Sequence, residues 1–327
     1  MIILRKLAKT AIVAPILLIL IGFALVPAYA ATGDVLATIN PALYTGNGRA
    51  IAFDGVDKLY YTIYDNTGNI YEVKTDGTAN AITTNIGWQA GALAWDAGRG
   101  GLWVGRYDGT VGSEIYFLTI PGLVLSFKWS ITGFTNYVAA MAHFPSYMDG
   151  LAYDPVTDSL WISEDWAHRI YLSTPAGAQV TYFDTVDPAG GYWDNGGIGI
   201  DLNGHLWLGQ PGDVPHQMIA GDQIYKYRQD GVYLGIVFNP ATQLGVASWA
   251  PEGIAFDPVT FAGAGKWAIW VMRNGGAAPQ IAAFEIPVDE PPFFVIPEVP
   301  LGTIMSIGAM IIALTAYVAV PRLGRKH

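Results

Sequence analysis

The chain has 327 residues, no cysteine and a formal net charge of −10. Without cysteine, disulfides, thiolate metal sites and cysteine nucleophiles are excluded. All 27 acidic residues lie between Ala31 and Pro300 with 11 of the 17 basic ones, and the net −16 of that segment repels nucleic acid and anionic lipid.

Arg5, Lys6 and Lys9 precede an apolar run from Ala11 to Val26, and Ala28-Tyr29-Ala30 then offers small residues where a signal peptidase reads them. Charged stretch, apolar stretch and cleavage site in that order predict a secretory signal over 1–30, with an uncleaved anchor as the alternative.

The segment 31–286 is a repeat. Five first-strand motifs recur: Ala50-Ile-Ala-Phe-Asp54, Ala92-Leu-Ala-Trp-Asp96, Gly150-Leu-Ala-Tyr-Asp154, Gly197-Ile-Gly-Ile-Asp201 and Gly253-Ile-Ala-Phe-Asp257. A turn follows each, then an apolar run centred on Tyr60, Trp103, Trp161, Trp207 or Trp270. Four units continue with an Ile-Tyr pair, at Ile70, Ile115, Ile170 and Ile224. Several short strands in a period of roughly 40–60 residues predict a β-propeller of about five four-stranded blades, with six as the alternative. Thr32–Pro41 and Asp230–Pro240 both run from a Gly turn through a short apolar strand to Asn-Pro. The second is the outer strand of the fourth unit. The first has no unit of its own, so it is expected to pair with the last blade and close the ring, leaving no open edge.

Each first strand ends in an Asp, and an Asp there accepts a turn N–H. Five recurring carboxylates are accordingly read as turn formers, not as a catalytic set. The Trp or Tyr of the second strand fills the wedge between blades. Insertions concentrate before the next first strand, in 131–148, 185–196 and 239–251, which maps them to one face of the ring and directs the search for a site there.

Pro287, Pro291, Pro292, Pro297 and Pro300 stiffen a linker over 287–301. The uncharged run 302–320 is about the ~20 residues that cross a bilayer. Arg322, Arg325 and Lys326 in the tail 321–327 place that tail in the cytoplasm and the propeller outside.

Ile296-Pro-Glu-Val-Pro-Leu-Gly-Thr303, one apolar helix and a basic tail together resemble the PEF-CTERM-like sorting signals of archaeal surface proteins. That resemblance implies an archaeosortase as partner, reading Pro297, Glu298, Val299 and Pro300, removing the helix and leaving the protein on a lipid. Val299 stands where the commoner form has Phe. A plain single-pass anchor is the alternative.

Asp149-Gly-Leu-Ala-Tyr-Asp154 and Pro251-Glu-Gly-Ile-Ala-Phe-Asp257 resemble the NHL and gluconolactonase-like (regucalcin-like) propellers. In the gluconolactonase-like enzymes, acidic and Asn side chains just before the inner strands hold a divalent cation. The corresponding positions here are Arg49, Gly91, Asp149, Gly196 and Glu252, with Asn195 one residue away. The resemblance therefore implies Asp149, Glu252 and Asn195 as ligands for Ca²⁺ or Mg²⁺, which suit oxygen donors. Arg49 opposes a cation there, and the favoured alternative is that it pairs with Asp149 or Glu252 without one. Glu164, Asp165, His168, Arg106 and Arg273 follow the second strands and are expected further out on the same face.

No H-E-x-x-H or Gly-x-Ser-x-Gly motif occurs, and His143, His168, His205 and His216 stand at unlike repeat positions. Three functions compete. The first is a membrane-anchored, non-catalytic binding or display module for an extracellular protein, glycan or small molecule, with no cofactor required. The second is a Ca²⁺- or Mg²⁺-dependent lactonase-like hydrolase or lyase. The third is a structural envelope component.

Overall fold

The computed structural model describes residues 32–288, except 66, 108–112, 135–147, 165–167, 186–194, 211–221 and 276–278, and for Ile236 the backbone alone. The expected signal, the linker beyond 288, the helix 302–320, the tail, Asp165, His143, His216 and Pro297–Pro300 lie outside the described residues. Among the described residues no helix is long and apolar enough to cross a membrane.

The described strands form five four-stranded antiparallel sheets, the blades of a propeller. β1 (Val35–Ile39) belongs to the last blade. The first blade comprises β2 (Asn47–Phe53), β3 (Lys58–Tyr64), β4 (Asn69–Lys74) and β5 (Ala81–Asn85). The second comprises β6 (Ala90–Asp96), β7 (Gly101–Arg106), β8 (Glu114–Thr119) and β9 (Leu125–Ser130). The third comprises β10 (Met148–Asp154), β11 (Ser159–Glu164), β12 (Arg169–Ser173) and β13 (Gln179–Asp184). The fourth comprises β14 (Ile198–Ile200), β15 (Leu206–Gln210), β16 (Gln223–Tyr227) and β17 (Tyr233–Phe238). After β17, Asn239 caps the one-turn helix α1 (Pro240–Leu244) by accepting the Thr242 N–H at 2.8 Å. The last blade comprises β18 (Ala250–Asp257), β19 (Trp267–Asn274) and β20 (Ile281–Ile286), with β1 as its outer strand.

Ring closure is therefore as the two Asn-Pro segments implied: β1 runs antiparallel to β20, with Thr38 opposite Ala282 and Ile39 opposite Ile281. The inner strands β2, β6, β10, β14 and β18 neighbour one another in that order, and β18 returns to β2. Small residues permit this approach. A Cβ on Gly150 would come within 2.7 Å of the Ile198 nitrogen, and one on Gly197 within 2.5 Å of the Ile254 nitrogen.

Each of the five wedges between blades holds its own apolar cluster, and each cluster contains one of the five repeat aromatics: Tyr60, Trp103, Trp161, Trp207 and Trp270. All five are almost wholly buried. Side chains of this size supply roughly 4–6 kcal/mol of gross transfer free energy each, which matters in a chain with no covalent cross-link.

The repeated Asp does form the turn, and it does more. Asp54 accepts the N–H groups of Val56, Asp57 and Lys58 at 2.8–3.0 Å. Asp257 accepts those of Val259 and Thr260, and its second oxygen accepts the indole N–H of Trp270 at 2.8 Å. Asp96 and Asp201 likewise take the indoles of Trp103 and Trp207, at 3.1 and 2.9 Å. Asp154 instead takes the Thr157 hydroxyl at 2.6 Å, and the Trp161 N–H is left without a hydrogen-bond partner among the described residues.

Candidate functional site

An antiparallel inner strand with strict alternation would present Arg49, Gly91, Asp149 and Glu252 like any other residue. The register breaks at each of them. In β2 the pairing skips from Gly48 to Ala50, in β6 from Ala90 to Ala92, in β10 from Met148 to Gly150, and in β18 from Pro251 to Gly253. Each skipped residue sits in a β-bulge, the device that re-aims a side chain at the rim of a sheet. In the fourth blade the inner strand is shorter, and Asn195 and Gly196 precede it.

These bulges, with the ends of the second strands, form the polar mouth of the ring. Asp149, Asn195 and Glu252 are about 3% exposed or less, and Glu164 at the end of β11 is fully buried. The Arg49 guanidinium lies 3.5 Å from a Glu252 carboxylate oxygen, bridging the first and last blades. That same oxygen accepts the Asn274 amide at 2.6 Å. Arg49 also lies over two rings, 5.2 Å from the centre of Tyr64 and 4.7 Å from that of Tyr107. Cation–π contacts of this kind hold a guanidinium in one place. On the facing side, the Asn195 amide reaches the Glu164 carbonyl at 3.4 Å, and the Ser163 hydroxyl donates to the Gly196 carbonyl at 2.5 Å.

The outer candidates are placed differently. Arg106 pairs with Glu114 at 3.0 Å and lies over Trp88. The Arg273 guanidinium donates to the Ser248 carbonyl at 2.7 Å, and its own carbonyl accepts the Tyr44 hydroxyl. Burial pushes the Tyr44 phenol well above its ordinary value, and the Glu252 charge adds to that. His168 contributes its backbone: it adopts φ +50°, and its carbonyl accepts both the amide and the hydroxyl of Thr185. His205 belongs to the opposite face, 3.3 Å from Asp201. Tyr64, Tyr107, Ser163 and Asn274 escaped sequence reasoning. Their signal was available, because all four stand at or just beyond second-strand ends, the same repeat position that offered Arg106, Glu164 and Arg273.

The mouth can accept hydrogen bonds through buried carboxylates and donate them through Arg49 and the two amides. One Glu252 oxygen is engaged by Arg49 and Asn274, and among the described residues no three His, Asp or Glu converge into a cation-binding group.

No protein-family model and no curated protein matches the sequence. Solved structures do. A protein of unknown function from Bacteroides thetaiotaomicron is similar over 79% of this chain and 72% of that one, at 14% identity and a TM-score of 0.50. A gluconolactonase from Xanthomonas campestris matches over 71% and 70%, at 17% identity and a TM-score of 0.43. Regucalcin from Agrobacterium tumefaciens, a calcium-binding protein, matches over 77% and 97%, at 11% identity and a TM-score of 0.46. At these identities the likeness is one of fold alone.

Proposed function

We propose that the chain is an exported propeller, anchored through its C-terminal run, that binds a polar extracellular ligand at the bulged mouth without catalysing a reaction. The Arg49–Glu252 pair carries this reading. A guanidinium fixed between two tyrosines supplies the charge that a cation would otherwise supply, so the carboxylates of the mouth are left to hydrogen-bond a ligand. Anchoring is supported by the apolar run 302–320 and the basic residues that follow it. Removal of that run by an archaeosortase, leaving a lipid, is the variant that the Pro297–Pro300 motif supports. The second reading, a Ca²⁺- or Mg²⁺-dependent lactonase-like hydrolase, is favoured by the gathering of Asp149, Glu164 and Asn195 at the same mouth.

Calorimetric titration of the full chain with Ca²⁺ and with Mg²⁺ separates the two. The expected outcome is no binding tighter than the millimolar range, the regime of weak extracellular sites at ~10⁻⁴–10⁻³ M. Submicromolar binding that disappears in Glu252→Ala would overturn the proposal in favour of the metal-dependent enzyme.

A further inference from the structure

The other mouth of the ring is walled differently. A cavity of about 370 Å³ opens there, within the ~300–1,000 Å³ range of small-molecule pockets. Phe53, Trp95, Tyr153, Ile200 and Phe256, one from each blade and all from the position before the turn Asp, form its rim. The residue before each is Ala or Gly, which keeps the space between them open. Three of the rim rings are fixed by partners outside the cavity wall. Trp95 stacks on Tyr60, with centroids 5.7 Å apart and an interplanar angle of 12°. Phe256 meets Trp267 edge-on at 5.5 Å. The Tyr153 hydroxyl donates to Asp158 at 2.8 Å and accepts from Arg99 at 3.1 Å, and Arg99 and Asp158 pair with each other at 2.8 Å. Rings held in place before a ligand arrives lose little freedom when it binds.

The wall offers a ligand no counter-charge. It includes Asp154 and Asp201 and no Lys, Arg or His. Asp154 accepts the Val156 N–H at 2.9 Å and the Thr157 hydroxyl at 2.6 Å. Asp201 accepts the N–H groups of Asn203 and His205 and the Trp207 indole, all at 2.9 Å. The exposed charges of this face stand on the surrounding turns and are answered there. Lys74 pairs with Asp57, Arg99 with Asp158 and Arg228 with Asp230, while Asp76 accepts the N–H and hydroxyl of Thr78. An ionised ligand in the cavity would lose its hydration and gain no partner, a cost that a neutral one escapes. Each inner strand is the edge of its sheet, so backbone N–H and C=O groups border the ring axis between the side chains. These can exchange hydrogen bonds with a neutral molecule.

We infer that this cavity is a second binding site, taking one uncharged, planar aromatic molecule that carries a hydroxyl or carbonyl. Fixed aromatic side chains favour offset or edge-on contact with another flat ring system. The uncharged wall selects against ionised relatives of that molecule, and the backbone edges receive its polar group. The site lies at the opposite end of the inner strands from Arg49 and Glu252, and it stands whatever ligand that mouth takes.

The probe is naphthol, uncharged at neutral pH, titrated into the full chain held in lipid nanodiscs with empty discs as the blank. Naphthalenesulfonate and naphthylmethylammonium present the same rings with a negative or a positive charge. Naphthol is expected to bind saturably at one site per chain, and both charged relatives about tenfold more weakly or not at all. Ala97→Trp, in an exposed turn that lines the cavity, places an indole in its opening and should abolish the binding. Ile82→Trp adds the same side chain on the exposed outer strand β5 and should leave the binding intact. Phe256→Leu keeps the wall apolar, removes one ring and should weaken naphthol several-fold. The comparison of the three ligands on the parent chain stands whether or not a variant folds. No saturable binding of naphthol, equal binding of all three ligands, or binding that survives in a folded Ala97→Trp chain would each overturn the assignment.

Discussion

The two mouths of the ring come from the same five repeats, yet they differ in kind. At the apolar mouth the repeat is nearly uniform: a small residue, a large apolar one, then Asp in every blade. At the polar mouth the corresponding position reads Arg49, Gly91, Asp149, Gly196 and Glu252. Uniformity follows from a shared local task, since every blade must turn and every turn must fill its wedge. Divergence follows from the loss of symmetry at a site, where residues from different blades answer one another and not their own strand. The bulges are what make this possible, because in four of the blades they release one residue from the alternation that governs the others.

The contrast is most sharply tested by removing the charge that balances the polar mouth. Arg49→Met keeps the length and apolar body of the side chain and removes the guanidinium 3.5 Å from the buried Glu252 carboxylate. Breaking a buried pair from one side costs about 3–5 kcal/mol, and denaturant unfolding should show a loss of that order. Added Ca²⁺ should restore part of it in the variant and little in the parent chain, because the vacated position is one that a cation can fill. A loss under ~1 kcal/mol would place the pair with ordinary surface bridges, and Ca²⁺ stabilising the parent equally would mean that Arg49 is not what closes the mouth to cations.

At the apolar mouth the effect is smaller and divides by blade. Trp270→Phe and Trp161→Phe remove the same volume from equivalent wedges. In the first, Asp257 also loses an indole donor; in the third blade Asp154 loses nothing. Hydrogen bonds to charged groups contribute ~1.5–3 kcal/mol, so Trp270→Phe should be the more destabilising by about that amount. Equal losses would show that the indole–carboxylate bond adds nothing to burial.

That blade-specific difference also marks the limit of what sequence patterning carries. The strand periodicity, the turn aspartates, the wedge aromatics and the closing strand were legible because each is local or repeated. The bulged position was legible as a site through the resemblance to the gluconolactonase-like propellers, and the insertions before the inner strands pointed to the same face. The Trp–Asp bond was not anticipated, although both residues recur in four units, because period-two alternation says which face a side chain takes and not how far its polar atom reaches. Pairing of Arg49 with Glu252 depends on which blades adjoin at closure: β18 meets β2, so the first and last units supply the partners. The Tyr64–Arg49–Tyr107 stack was missed for the same reason, since its rings come from two blades and belong to no motif.

The smallest effect expected is a pH dependence confined to one turn of the apolar mouth. Burial of Asp201 pushes its carboxyl up. Hydrogen bonds from His205 and Trp207 outweigh that burial, and the group ends below its ordinary value of 3.8. A carboxyl whose folded-state value is depressed stabilises the fold above the unfolded value, and that contribution is lost as pH falls through the folded one. The loss should begin near pH 4 and grow below it, and nothing from this group should change between pH 5 and 8. Asp201→Asn should be less stable than the parent at pH 7, since the charged acceptor is gone, and the gap should narrow on acidification. Thermal melts of both chains from pH 7 to pH 3 supply the test. A gap that stays constant to pH 3 would show that the Asp201 carboxylate gains nothing from its partners, and that the turn is held by backbone geometry and wedge packing alone.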